Sequence, residues 1–528
     1  NLTASGGKQR EGCINVLVGE KENTTAAKLR VLQIGEDTES LIFEVRINYD
    51  DYTFKNGGVY KTSAGDLDVT IDWGDGSEPE HFVNVQPSHK YAKAGKYTVE
   101  TKGTAPLYCL TDIAGDYFTI TDGIKHVNFL NIISWGKLGV KDVKSVCKTD
   151  QELESVPDDV CGTFAEITDF TDMFVNCYSL KAIPENLFRY AVKAQKFYNT
   201  FGYNASLKSI PEDLFVNCTE ATDFGQCFYG AGTGSAVLQG EGNSHATVLK
   251  PFVSKGNRIE IPEGLFRNNT KATSFMQTFR DMNIVAVPEN LFANNTEVTS
   301  FNGLFTGCTE LETVPADLFK NNQKVKDYKW LFYATDVKTL PVGLFKHCPA
   351  GFPIQINQMF QNSIIEDFPE GFFEGLDGVT SLSELFENAV FMKPLKGGIF
   401  KGLKKASSLL KTFYGTNVTE LPEDLFEGLG TDATKIEMSN TFFGCKQLAA
   451  LPAGLFDPVA TKLTTINACF QKCTVLKSIP EGFGNSLTVL TNAGNAFYGC
   501  EALESLPSEM FKGAAAKLSN LSSMFWGC

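Results

Sequence analysis

Beyond residue ~150 the apolar positions recur with a fixed grammar, and Phe301 to Phe319 shows it most plainly. Phenylalanine stands at Phe301 and Phe305, a small residue at Cys308, aliphatics at Leu311 and Val314, then Pro315, Leu318 and Phe319. The proline slot is filled by Pro157, Pro184, Pro211, Pro262, Pro288, Pro315, Pro341, Pro369, Pro422, Pro452, Pro480 and Pro507, and by Lys396 between Pro369 and Pro422. These thirteen turns lie 25 to 30 residues apart, except for the 51 residues from Pro211 to Pro262. A fixed period in this range is the signature of a solenoid, whose core lengthens coil by coil.

Each turn divides into two similar halves. Proline followed by an acid, as in Pro288-Glu289, suits the first position of a helical turn. The 4-then-3 spacing of Phe301, Phe305 and Cys308 again predicts a helical turn. Short β-branched segments such as Glu297-Val298-Thr299-Ser300 and Leu311 to Val314 predict brief strands between them. The expected fold class is α+β, with parallel strands and helical turns in the coils. The slot four residues after proline is Phe except at Cys161 and Gly484, and the second Phe of the phrase is present in every turn. Those two slots hold 24 of the 42 phenylalanines. At ~1.5–3 kcal/mol for each buried ring, they are the expected main source of cohesion.

The first 150 residues read differently. Residues 1–28 are polar without a period and predict a mobile leader. From Leu29 the pattern alternates, at Leu29 to Ile34, Leu41 to Ile47, Val69 to Trp73 and Tyr97 to Glu100, which predicts a β-sandwich over 29–104. Residues 105–150, with Val127, Phe129, Leu130, Ile132, Trp135, Leu138, Val140, Val143 and Val146, read as a linker and atypical first coil capping a solenoid over 151–528.

Two resemblances follow from these residues. Trp73-Gly74-Asp75-Gly76, then His89-Lys90-Tyr91 and Gly95-Lys96-Tyr97, resembles the PKD family of immunoglobulin-like domains. Phe174-Val-Asn-Cys177-Tyr-Ser-Leu180-Lys-Ala-Ile183-Pro184 resembles the BspA-like leucine-rich repeats of bacterial surface proteins, over about residues 150–528. The period here is longer and carries an added Pro-x-x-Leu-Phe arm. Together the resemblances imply an exported lipoprotein or surface protein with an adhesive, protein-binding role. They supply no site residues.

Charge and chemistry narrow the function. A net charge of -15 argues against nucleic acid as a partner. No apolar run approaches the ~18 residues of a membrane span, and the chain begins without Met or an apolar leader, as a trimmed export product would. Attachment to an outer membrane would then run through a lipid anchor lost with the N-terminus. Cys177, Cys308, Cys445, Cys473, Cys500 and Cys528 share one slot that elsewhere holds Ala, Ser, Thr, Asn or Met, so they read as buried free thiols, not bridges or metal ligands. Asp72 and Asp75 lack the alternating oxygen ligands and distal Glu of a calcium loop. His89 reads as a packed residue. The glycines at 230, 232 and 234 lack the Lys-Ser/Thr of a phosphate cradle. No catalytic constellation, metal or cofactor is expected, and the chain is read as no enzyme.

Two features point to binding. The insert at about 229–257 interrupts the array where solenoids often place binding loops. The slot after the second Phe holds Tyr229, Tyr333, Tyr414, Phe443, Tyr498 and Trp526 among Glu387, Gln361 and Arg280, so it should face solvent as an aromatic rail. The leading expectation is a surface adhesion protein that binds a protein. The alternative is a glycan-binding protein that uses those six aromatics.

Overall fold

The computed structural model describes residues 39–62, 66–110, 127–234 and 257–528. The expected leader, and the strand expected at Leu29 to Ile34, lie outside them. Thirteen coils of the solenoid are present, and adjacent coils are joined by parallel bridges such as Asp169 to Lys196, Lys196 to Asp223 and Ser274 to Ser300.

The N-terminal unit is built from nine strands: β1 (Leu41–Ile47), β2 (Tyr52–Phe54), β3 (Val59–Tyr60), β4 (Asp68–Asp72), β5 (Glu80–Val83), β6 (His89–Tyr91), β7 (Gly95–Thr104), β8 (Leu107–Tyr108) and β9 (Val127–Ser134). Five form one antiparallel sheet in the order β5-β4-β7-β1-β9, while β2 pairs with β6 and β3 with β8. Trp73 fills the centre, fully buried, edge-on to Phe54 and Phe82 and stacked on His89 at 5.0 Å. Its neighbour must be glycine: Gly74 has φ +78°, and a Cβ there would meet the Thr98 carbonyl oxygen at 2.2 Å.

β9 has two partners. One edge pairs antiparallel with β1. The other meets the first coil, where Ile132 donates its N–H to Ser155 (3.0 Å) and Glu154 donates to Leu130 (2.8 Å). The sheet thereby runs directly into the solenoid, and one continuous apolar core extends from Leu41 to Ala514. Trp135 follows β9 and meets Phe164 (5.1 Å) and Phe174 (6.1 Å), at the head of the phenylalanine columns.

The coils correct one expectation. No α-helix occurs among the described residues; the helical content is two single turns of 3-10 helix, Asp457–Val459 and Lys512–Ala514. The 4-then-3 spacing is met by successive reverse turns. In the coil of Phe170, Met173 donates to Phe170 (3.2 Å), Val175 to Asp172 (3.2 Å) and Cys177 to Phe174 (3.3 Å). Asp172 and Asn176 both take positive φ, as do the residues two before and two after the second Phe in the other coils. A left-handed residue every fourth position turns the remaining N–H groups along the stack instead of along a helix. Phe170, Asp172, Phe174 and Asn176 accordingly donate to Lys196, Tyr198, Thr200 and Gly202 of the next coil, at 2.8 to 3.0 Å. Two short parallel pairs, β10 (Ile364–Ile365) with β11 (Val390–Phe391) and β12 (Ile436–Glu437) with β13 (Leu463–Thr465), are the regular strands within the described coils.

The second Phe forms an unbroken column from Phe174 to Phe525, each ring 5.2 to 6.3 Å from the next. The slot after proline forms another column, from Phe188 to Phe345. Its two sequence exceptions are repaired locally: Phe164 stands in for Cys161 and Phe483 for Gly484. A third column appears where the first Phe of the phrase is aromatic, from Phe170 through Phe197, Phe224, Phe275 and Phe301 to Tyr328. The break in period leaves the stack intact, since Phe228 lies on Phe279 at 6.1 Å across the insertion. Most of the insert, residues 235–256, falls outside the described residues.

Candidate binding face

The outward positions around the second Phe make one face of the solenoid. The slot immediately after it is half-buried at Tyr229, Tyr333, Tyr414, Phe443 and Tyr498, and exposed at Trp526. The structure separates these six aromatics into local groups. Tyr414 stacks on Phe443 at 4.7 Å with an interplanar angle of 6°, flanked by the ammonium groups of Lys411 (5.6 Å) and Lys472 (5.8 Å). Tyr498 stacks on Trp526 at 4.7 Å. The Tyr333 hydroxyl accepts from Asn362 at 2.8 Å.

Tyr229 is held differently. The Arg280 guanidinium lies over its ring at 4.8 Å, Tyr203 packs beside it at 4.5 Å, and Arg280 reaches Asp281 at 3.4 Å. Burial raises the Asp281 carboxyl, opposed by Arg280, and burial raises the Tyr229 phenol, helped by Asp281. These groups pack on one another and leave little of Tyr229 for a ligand. Between the aromatic groups the slot holds Gln361 and Glu387, hydrogen-bonded at 3.0 Å, so the aromatics do not make a continuous rail. Burial, and next the carboxylate of Glu384, raises Glu387.

Sequence reading missed Trp330. It lies two residues before Phe332, where its φ is +59° and its side chain is 36% exposed. The slot is occupied by an amide or a small residue in most coils, such as Asn199, Gln277, Gly303 and Asn440, which tolerate the left-handed conformation better. A tryptophan at a position of that kind was the available signal. The next coil reads Gln355-Ile-Asn357-Gln358-Met-Phe-Gln361-Asn362, with its apolar residues buried and all five amides outside the core.

The other chemical candidates are consumed by structure. Asp72 accepts the Gly74 N–H at 2.9 Å. Asp75 accepts from Ser77 (3.0 Å from N–H, 2.6 Å from Oγ) and lies 2.8 Å from His89 Nε2. Its partial burial alone would raise the carboxyl, but the bonds from Ser77 and His89 outweigh that and lower it to about 2. Among the described residues no group of three or more His, Cys, Asp or Glu is placed to hold a metal, and no helix is long and apolar enough to cross a membrane. Gly232 and Gly234 donate to Asn204 (3.0 Å) and Ala205 (2.9 Å) of the preceding coil, which leaves no phosphate cradle. An open cavity of about 580 Å³ beside the first coil is lined by Lys137, Lys141, Cys161 and Tyr190. Its one acid, Glu166, is paired with Lys193 at 2.5 Å.

None of the thirteen described cysteines is joined in a disulfide. Those in the shared slot have a physical reason. The Sγ of Cys308, Cys445, Cys473 and Cys500 donates to the carbonyl of the second Phe one coil back, at 3.0 to 3.3 Å. Ser363 makes the same bond to Phe332 at 2.5 Å. Burial raises the thiols of Cys445 and Cys500 to about 12. Cys528 departs from the expected burial and lies exposed, though its Sγ makes the same bond to Phe497 at 3.1 Å. Asn268, Asn294 and Asn417 likewise spend their amides on carbonyls of the coil before, at 2.8 to 3.0 Å.

No protein-family model matches the chain, and no curated protein matches it. Solved structures similar to it include TLR13 in complex with ssRNA13, 15% identical over 68% of this chain and 53% of that one, with a TM-score of 0.37. Another is Drosophila Toll bound to Spätzle, 15% identical over 67% of this chain and 43% of that one, TM-score 0.30. A leucine-rich cell surface protein of Faecalibacterium prausnitzii is 15% identical over 75% of this chain and 90% of its own, TM-score 0.23. The chain spans about half the length of the Toll-type receptors it matches. Likenesses of this size carry no argument, so the solenoid rests on the coil geometry described above.

Proposed function

We propose that this protein is a non-enzymatic interaction scaffold of a cell surface, and that its ligand lies on the face around the second Phe. One observation carries the reading. Across the coils the phenylalanine columns are buried, yet on this one face Tyr333, Tyr414, Phe443, Tyr498, Trp330 and Trp526 keep part of their rings in solvent, amid Asn, Gln, Ser and Thr. Half-exposed aromatics on a rigid backbone anchor ligands at little entropic cost. A protein partner and a glycan both use such anchors.

The wider reading joins the two resemblances: BspA-like leucine-rich coils, presented by a PKD-like sandwich, on an exported and lipid-anchored adhesin. Its test is binding of the full chain to glycan arrays and to surface-protein panels, alongside a Tyr414→Ala/Tyr498→Ala double variant. The double variant should retain its melting temperature and lose at least about tenfold in affinity for whichever ligand is found. Unchanged affinity would move the ligand off this face.

A further inference from the structure

The Trp330 region carries a more specific assignment, which rests on the reading that this face binds the ligand. Trp330 is held on both sides: its N–H donates to Asn357 (3.3 Å), and its carbonyl accepts from Tyr333 N–H (3.1 Å) and Thr306 Oγ1 (2.8 Å). The bonds fix the backbone in the left-handed region, where a bulky side chain is unfavourable. The ring stacks on no aromatic among the described residues, and 36% of the residue stays exposed. The fold imposes this conformation on the slot in every coil, and a tryptophan there that keeps part of its surface in solvent points to a use outside the core.

The surroundings indicate that use. In the next coil the amide nitrogens of Asn357, Gln358 and Gln361 donate forward to Ser381 (2.9 Å), Glu384 (2.6 Å) and Glu387 (3.0 Å), and that of Asn362 donates back to Tyr333 (2.8 Å). Their amide oxygens carry no protein hydrogen bond among the described residues. Four unpaired acceptors in the coil that follows a partly exposed indole suit a pyranose ring, which has an apolar face to stack and hydroxyls to donate. The charges around it are already partnered: Glu384 by Gln358 and Lys411, Glu387 by Gln361, and Lys329 by Asp327 at 3.9 Å.

We propose that Trp330, with Tyr333 beside it and the amide rung from Asn357 to Asn362, forms a binding subsite for an uncharged polysaccharide. The sugar stacks on Trp330 and donates hydroxyl hydrogens to the amide oxygens, and the chain extends along the coils toward Tyr414 and Phe443.

The experiment titrates the full chain with xylan, mannan, galactan and β-glucan, following intrinsic fluorescence and calorimetry. Trp73 and Trp135 are buried, so a ligand-dependent fluorescence change in a Trp526→Phe background reports on Trp330. At least one of these polysaccharides should bind, and Trp330→Gly, which suits the left-handed backbone, should weaken it by at least about tenfold with an unchanged melting temperature. A Gln358→Leu/Gln361→Leu variant should weaken it as well. Binding of none of the four, or binding unaffected by Trp330→Gly, overturns the subsite. If Tyr414→Ala/Tyr498→Ala still abolishes capture of a ligand in either case, the face survives and this site alone is wrong. If no variant on the face matters, both readings fail together.

Discussion

The column of rings led by Phe174 and the column one residue further on run side by side through the same coils under different rules. The first is phenylalanine in every coil and buried at each step except the last; the second holds Val175, Gly202, Arg280, Glu387 and Tyr414 in turn. Packing explains the first: a ring removed from an array stacked at 5.2 to 6.3 Å leaves a void between two others. The second is buried at Val175, Gly202 and Thr306 but reaches solvent in the other coils, where each can carry its own chemistry. Repetition marks what the fold needs, and departures from repetition mark what the surface does.

The largest way to break that contrast is to cut the inner column. Phe442→Ala removes a fully buried ring stacked between Phe413 and Phe470, and should cost between about 3 and 5 kcal/mol in urea unfolding. Because coils contact only their neighbours, hydrogen exchange should rise most in the coils from Phe413 to Phe470.

The N-terminal unit sharpens the contrast from another side, because a carboxylate on its surface adds to its ring-packed core. The Asp75 carboxyl is lowered to about 2 by Ser77 and His89 against its partial burial. Its contribution is therefore complete above the unfolded value of about 3.9 and is lost as pH falls through the folded one. Melting scans between pH 5 and about 2 should show the wild-type unit losing stability, with the loss reduced in Asp75→Asn. A smaller effect comes from the thiol slot. Cys308→Ala should cost about 1 kcal/mol, and Cys308→Ser should recover most of it by making the bond that Ser363 makes.

How much of this could be read beforehand differs by element. The two main phenylalanine columns were legible because burial and repetition coincide at Phe305 and Phe319. The helical turns were misread because a spacing of four is shared by helices and by turns with a left-handed residue at every fourth position. The distinguishing signal was present: Asn176, Gly230, Asp281, Gly307, Asn362 and Gly415 fill the slot two after the second Phe, and such residues favour positive φ. The double pairing of β9 was not legible, since Val127 to Ser134 alternates in the same way whichever sheet it joins. The aromatic slot was legible as a pattern, but its division into stacked pairs depends on which coils adjoin. Trp330 lies outside that pattern, and its signal is a lone tryptophan in a slot where amides and small residues prevail.

Phe332 and Tyr333 offer the most direct test of the central claim, since two aromatic residues adjacent in sequence belong to the two columns. Urea unfolding of Phe332→Ala and Tyr333→Ala, side by side, should give a loss of about 3 to 5 kcal/mol for the first and under about 1 kcal/mol for the second. Comparable losses for the pair, or a larger one for Tyr333→Ala, would contradict the division into an inner column that holds the solenoid together and an outer face left free to bind.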